Sequence, residues 1–250
     1  MGTGVCIKIR THYFIATAAH VLKPDEEIHV ISKPPFKEID PFLISPIHVG
    51  TDENVDVAFL EIEESIALEL QTEFLELKDL LAQTGPLDDL VFIAGFPTEY
   101  ARLYSQENQV RIEPLFFSGI PINPTGNPAG VENLEYPTSA NPEDHIIVHW
   151  SEEQNTDGSI IDYDSKVSYD LGRTKMPKPH GISGGGIWAM DIIKAEGIWQ
   201  SNQAKLVAIQ THWNEKKRYV KGTRIHHWLA LIRENYDDLQ DCITSVVQNA

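Results

Sequence analysis

Ser183 lies in the run Pro179-His180-Gly181-Ile182-Ser183-Gly184-Gly185-Gly186-Ile187-Trp188, with a glycine two positions before it and three in succession after it. Glycines this close on both sides of a hydroxyl suit a backbone that bends sharply or that another group approaches closely. Acyl transfer needs both. The nucleophile has to stand clear of the chain, and backbone N–H groups have to face the carbonyl oxygen that turns negative. A plain Gly-rich turn or hairpin would read the same way. His20 follows an apolar strand that runs into small residues, Phe14-Ile15-Ala16-Thr17-Ala18-Ala19-His20. Small residues permit a tight turn that sets an imidazole at a cleft edge. With ten histidines in the chain, a structural role is the simpler reading of this one in isolation. Asp56 is flanked by Val55, Val57, Ala58 and Phe59, which predicts partial burial. A buried carboxylate is costly without donors such as an imidazole N–H; the alternative is one more acid in an acidic stretch. Together the three fit a single mechanism, in which a base takes the serine proton and a carboxylate fixes the base's tautomer. They come in the order His, Asp, Ser, 36 and 127 residues apart.

Strands have to hold these side chains. Short β-rich runs at 5–10, 13–17, 28–32, 57–62, 90–94, 145–150 and 206–211 are separated by Gly, Pro, Asn and Asp. No internal repeat is visible at solenoid or propeller periods. The pattern predicts an all-β chain closed by one helix. Within 223–248, Ile225, Trp228, Leu229, Leu231 and Ile232 recur at near-helical spacing. Residues 65–82 have helix-compatible composition and predict a short helix between two halves. Residues 123–141, dense in Pro, Gly and Asn, read as a long surface loop placed for substrate or partner contact.

The 250 residues are 42% hydrophobic and 9% aromatic, enough for one large β domain or two small ones. Thirty-seven acids against twenty Lys and Arg give a net charge of −17. This balance argues against a nucleic-acid or anionic-membrane partner, since phosphate binding relies on clustered Lys and Arg. Nine acids and no Lys or Arg lie between Thr51 and Leu77, and most of them read as solvated. No run approaches the roughly 18 apolar residues of a membrane span. No basic segment followed by an apolar one opens the chain, and Cys6 and Cys242 alone make no disulfide framework. A cytoplasmic location is expected if Met1 is the natural start. Neither cofactor nor metal is expected. Adjacent His226 and His227 on a helix should point apart, with no third ligand evident, and read as surface residues. Trp150, Trp188 and Trp199 read as core or cleft lining.

Thr17-Ala18-Ala19-His20, Asp56-Val57-Ala58 and Gly181-Ile182-Ser183-Gly184-Gly185 resemble the three signature segments of trypsin-like, chymotrypsin-fold serine peptidases. Gly2-Thr3-Gly4, Gly95-Phe96-Pro97 and Leu206-Val207-Ala208-Ile209 resemble strand motifs of bacterial intracellular members. The likeness runs from residue 2 to about residue 230 and is weak between about 100 and 170. It implies two six-stranded antiparallel β-barrels with the site between them. Residues 1–84 would carry His20 and Asp56, residues 85–222 would carry Ser183, and 223–250 would form a C-terminal helix and tail.

The implied activity is endopeptidase chemistry through an acyl-enzyme, with Ser183 as nucleophile, His20 as general base and Asp56 orienting it. The N–H groups of Gly181 and Ser183 would form the oxyanion hole. Substrate would contact the region 176–180 and the strand Gln210-Thr211-His212-Trp213, with His180, Thr211 and His212 as candidates. No acid there favours Arg or Lys; His212 suits an acidic or polar side chain, or is simply a wall residue. The implied partners are a protein or peptide substrate and a regulatory protein that restrains a cytoplasmic endopeptidase. Two departures stand out. Secreted members carry an acid just before the serine for a newly cut N-terminus, whereas this chain has Ile182. Gly2-Thr3-Gly4 usually follows a further strand, so either the start is truncated or the first barrel has an open edge. Two other readings compete. One is a pseudopeptidase that binds protein in the same cleft. The other is an α/β-hydrolase esterase, since residues 181–185 also fit a nucleophile elbow. That fold would need its acid and His from Asp191, Asp237, His212, His226 and His227, and upstream β/α alternation is not visible.

Overall fold

The computed structural model describes residues 2–23, 26–30, 42–87, 90–100, 102–104, 109–111, 114–126, 134–150, 178–190 and 203–248. Trp199, Met176 and Asp191 lie outside them. A first sheet has the order β1 (Val5–Ile9), β2 (His12–Thr17), β6 (Val57–Ile62), β5 (His48–Asp52), beside a hairpin of β3 (Ile28–Val30) and β4 (Phe42–Ile44). Between these halves α1 (Glu64–Glu69) is the short helix expected. It ends sooner than the composition of 65–82 suggests. Gln71 turns to a left-handed φ of 49°, and Leu75 then exchanges backbone bonds with β1, at 2.7 and 3.0 Å. Pairing with a strand wins over helix propensity.

The second sheet has seven strands in the order β10 (Leu115–Gly119), β7 (Val91–Gly95), β13 (Gly186–Ala189), β14 (Lys205–Asn214), β15 (Tyr219–Arg224), β12 (His145–His149), β11 (Pro121–Ile122). A separate pair joins β8 (Arg102–Tyr104) to β9 (Gln109–Arg111). Every strand pairing in these sheets is antiparallel. That removes the α/β-hydrolase reading, whose sheet is built from parallel crossovers. Among the described residues the two sheets hold four and seven strands. Two bulges in β14 bend the second sheet, at Val207 opposite Ile187/Trp188 and at Thr211 between Gln210 and His212.

The terminal segment breaks into α2 (Ile225–Asn235) and α3 (Gln240–Gln248) at Tyr236, whose extended φ and ψ of −134° and 101° stop the first helix. α2 buries Ile225, Trp228, Leu229, Leu231 and Ile232, the apolar positions read from the periodicity. They join Ile7, Phe14, Phe59, Leu206 and Ile209 in one core shared by the helix and both sheets. Burying each of the larger members stabilises by about 1.5–3 kcal/mol. A second core, inside the seven-stranded sheet, includes Ile93, Phe117, Val148, Ile187 and Val207, with Trp150 stacked on Phe117 at 4.1 Å. Trp188 is half-buried and stacks on Phe92. Both cysteines are free thiols, and burial pushes Cys6 up to about 12. Among the described residues no helix is long and apolar enough to cross a membrane.

Candidate active site

His20 sits in a single 3-10 turn, Ala19–Val21, that follows β2. Ala16, Ala18 and Ala19 are buried beneath the turn, while half of the imidazole's surface is exposed. Small residues let the turn lie flat on the core, so the ring alone projects. Asp56 occupies the tip between β5 and β6 at a left-handed φ of 58°. Asp tolerates that region better than most residues. Its carboxylate accepts the backbone N–H of His20 at 3.0 Å and the ring Nδ1–H at 2.8 and 3.1 Å. Two donors from one residue fix both the position of the turn and the orientation of the ring. The imidazole is thereby held with its proton on Nδ1 and Nε2 free to accept.

The expected partial burial of Asp56 is observed. Its loop is tied to the second sheet, because Thr223 Oγ1 donates to Val55 O at 2.6 Å. Trp228 Nε1 donates to Ala58 O at 3.1 Å. The terminal helix therefore positions the strand that carries the carboxylate.

The Ser183 loop is held by its carbonyls. His180 O accepts from Thr98 N at 2.7 Å, Ile182 O from Gly185 N at 2.8 Å, and Ser183 O from Thr3 N at 2.7 Å. Gly181 O accepts from Thr3 Oγ1 at 3.2 Å. By contrast, the N–H groups of Gly181 and Ser183 have no hydrogen-bond partner among the described residues. Four carbonyls are thus anchored beside two backbone donors left unclaimed.

Two glycines permit this shape. Gly181 and Gly184 both have φ of 90°, and a Cβ on Gly184 would lie 1.9 Å from Thr3 O and 2.1 Å from Thr17 Oγ1. Gly184 thus packs directly against the end of β2 that leads to His20. A Cβ on Gly2 would likewise meet Val21, next to His20, at 2.4 Å and Ser183 O at 3.1 Å. The loops bearing His20 and Ser183 are therefore in contact through residues 2–3.

Thr3 is the positioning residue that motif reading passed over. Besides its two bonds to the serine loop, its hydroxyl accepts from Phe96 N at 3.0 Å. The signal was present in Gly2-Thr3-Gly4, but there it pointed only to a strand. Ile182 is buried against Gly95, with a Cβ contact of 2.8 Å for any side chain placed there, and joins the second core. Apolar packing of Ile182 and the bonds to Thr3 hold this loop.

The remaining candidates divide. His180 is exposed on the serine loop. Thr211 is buried, its hydroxyl directed to Lys221 O at 3.4 Å. His212 is exposed and pairs with Lys221 across the sheet. Burial and then Lys221 and His20 lower its pKa, with Asp56 opposing, so it lies within electrostatic reach of the His20–Asp56 pair. Gln210 is fully buried and exchanges backbone bonds with Gly184 and Gly185 at 2.7 Å. Its side-chain amide has no partner among the described residues. Region 176–177 lies outside the described residues.

One expectation is corrected. His226 and His227 do not diverge into solvent: their rings are 4.2 Å apart, both are half-buried, and Asp144 supplies a third donor atom. Burial, then His227 and Arg224, push His226 down to about 4, which keeps it neutral.

No family model matches the sequence, and a search of curated proteins gives no match. Among solved structures, the chain superposes on neuropsin, a serine protease expressed in the limbic system of mouse brain, with a TM-score of 0.54. The superposition covers 93% of this chain and 87% of neuropsin at 14% identity. The fold is chymotrypsin-like. Two curled antiparallel sheets and a C-terminal helix on the body are its architecture, and at this identity it is the fold that the likeness shows.

Proposed function

We propose that this chain is a trypsin-like serine endopeptidase of intracellular type, with residues 1–84 and 85–222 as its two barrels. One observation carries the reading most. A His20–Asp56 pair, bonded through Nδ1 at 2.8 Å, stands on a loop that touches a serine loop with two unclaimed N–H groups. Ser183 Oγ attacks the peptide carbonyl and His20 Nε2 takes its proton. Asp56 then faces an imidazolium and stabilises it. The oxygen that turns negative is met by the N–H groups of Gly181 and Ser183, each worth about 3–4 kcal/mol of barrier. His20 returns the proton to the departing amine, and water repeats the sequence on the acyl-enzyme.

His180 and His212, both exposed, meet a protein or peptide substrate, with buried Thr211 backing His212 on the same strand and a regulatory protein as restraint. The intact His20–Asp56 pair favours catalysis over a binding-only cleft, which would not need it. Because Ile182 is buried in the core and Thr3 already holds the serine loop, no cleavage is needed to form the site. Cleavage of a peptide library by the wild type, absent in Ser183→Ala, is the expected result. Equal profiles for the two proteins would refute the assignment.

A further inference from the structure

Away from the cleft, the first turn of α2 and the turn before β12 bring together two imidazoles and a carboxylate. One ligand atom from each of Asp144, His226 and His227 lies within 4.8 Å of the other two. His227 Nε2–H donates to Asp144 Oδ1 at 2.9 Å. A tetrahedral Zn²⁺ with bonds of about 2.0–2.1 Å places its ligand atoms roughly 3.3 Å apart, so small rotations of these side chains suffice. A separate feature points the same way. His226 Nδ1 is buried and has no hydrogen-bond partner among the described residues, a cost that a native structure normally relieves.

We propose that Asp144, His226 and His227 bind a first-row divalent cation, best matched by Zn²⁺, which pins the terminal helix to the seven-stranded sheet. Two imidazoles and one carboxylate suit a borderline-soft cation and are too nitrogen-rich for Mg²⁺ or Ca²⁺. The fourth position is left to water. When His227 becomes a ligand through Nε2, its proton moves to Nδ1, so the ring stays neutral and no charge is lost.

Electrostatics does not all favour the cation. The N-terminal end of a helix is positive, and Arg224 is adjacent. The guanidinium is already committed to the carbonyls of Pro142, Gln83 and Gly85, at 2.7–3.0 Å. The Asp144 and Glu143 carboxylates, both within reach of Arg224, add negative charge, and the chain as a whole carries −17.

The consequence is mechanical. Arg224 N donates to Asp144 O at 2.8 Å, and β12 pairs with β15 directly before the helix. A cation here would cross-link the barrel to the helix that supports Ala58 and, through it, the Asp56 strand. The peptidase reading does not depend on this site, and either can fail without the other.

The test is a competition titration of chelator-treated protein with Zn²⁺ against a chromophoric chelator, with X-ray absorption at the zinc edge. The expected result is one Zn²⁺ per chain, not displaced by millimolar Mg²⁺, and bound at least tenfold more weakly by Asp144→Asn and by His227→Gln. His20→Ala, which breaks the His20–Asp56 pair and leaves Asp144, His226 and His227 untouched, should retain it. No binding at about 100 µM Zn²⁺, or binding in either ligand variant as tight as in the wild type, overturns the proposal. An edge spectrum with fewer than two imidazole nitrogens also overturns it, and that measurement needs no variant to fold.

Discussion

Replacing Asp56 by Asn separates the two services its carboxylate performs. The variant keeps the shape, and Asn tolerates the left-handed φ of 58° as well as Asp does. Its carbonyl can still take the His20 backbone N–H, which Asp56 Oδ1 holds at 3.0 Å. The amide NH₂ then falls where Oδ2 now accepts Nδ1–H at 2.8 Å. Two donors cannot face each other, so His20 must move its proton to Nε2. That is the nitrogen that has to receive the Ser183 proton. The variant also loses the negative charge that faces the imidazolium. Wrong tautomer and lost charge together cost about four orders of magnitude in serine peptidases built this way, or roughly 5.4 kcal/mol of barrier. The assay is kcat/KM at pH 8 on the peptide that the wild type cleaves best, with thermal midpoints measured alongside. The midpoint should move little while kcat/KM falls about 10⁴-fold. A fall of less than tenfold in a folded variant would show that Asp56 does not orient the base.

Three further outcomes follow from the same geometry. Thr3→Val removes the bonds to Gly181 O and from Phe96 N; about 1–2 kcal/mol should be lost, with kcat/KM down roughly tenfold, as read by urea midpoint and peptide turnover. Gly184→Ala puts a methyl group 1.9 Å from Thr3 O at a φ of 90°; a loss of about 3 kcal/mol should lower the thermal midpoint by roughly 6–12 °C, and an unchanged midpoint would contradict the close packing. His12 is drawn down by burial, its largest single influence, yet its bonds to Glu61 and Asp238 outweigh that and raise its pKa. A raised histidine stabilises fully below its unfolded value of about 6.5, and the contribution is lost as pH rises through the folded value. His12→Gln should therefore destabilise more at pH 6 than at pH 8.5, by about 1 kcal/mol; urea titrations of both proteins at the two pH values measure the difference.

The local geometry around His20, Asp56 and Ser183 was more legible than the scaffold that carries it. The glycines around Ser183 could be read as the trace of a backbone requirement, which Gly184 meets with φ of 90° and a close approach to Thr3. Asp56 could be read because apolar neighbours imply burial and burial implies a donor, which His20 supplies. The strands at 57–62 and 145–149 follow from β-rich runs bounded by turn residues, and the apolar face of α2 from periodicity. β4, β5, β8, β9, β10, β11, β13 and β15 fall outside the runs that composition marks. Such strands form because a neighbour offers hydrogen bonds, as β14 does for β13 and β15 on its two sides, and their own residues show it weakly. The break at Tyr236 was missed for a similar reason: the apolar pattern runs on past it, and the chain turns only to keep Leu239 and Ile243 in the same core. Thr3 and Asp144 act through partners far away in sequence, Gly181 and His227. No local pattern records such pairings.

The central claim is that His20 activates Ser183. Intact-mass and peptide mass spectrometry after treatment with a fluorophosphonate read this directly, since the reagent bonds only to a serine whose proton is being removed. The account predicts one adduct per chain, on Ser183, in the folded wild type, and none in His20→Ala over the same time. An unmodified Ser183 in the folded protein, or equal labelling of His20→Ala, would contradict it.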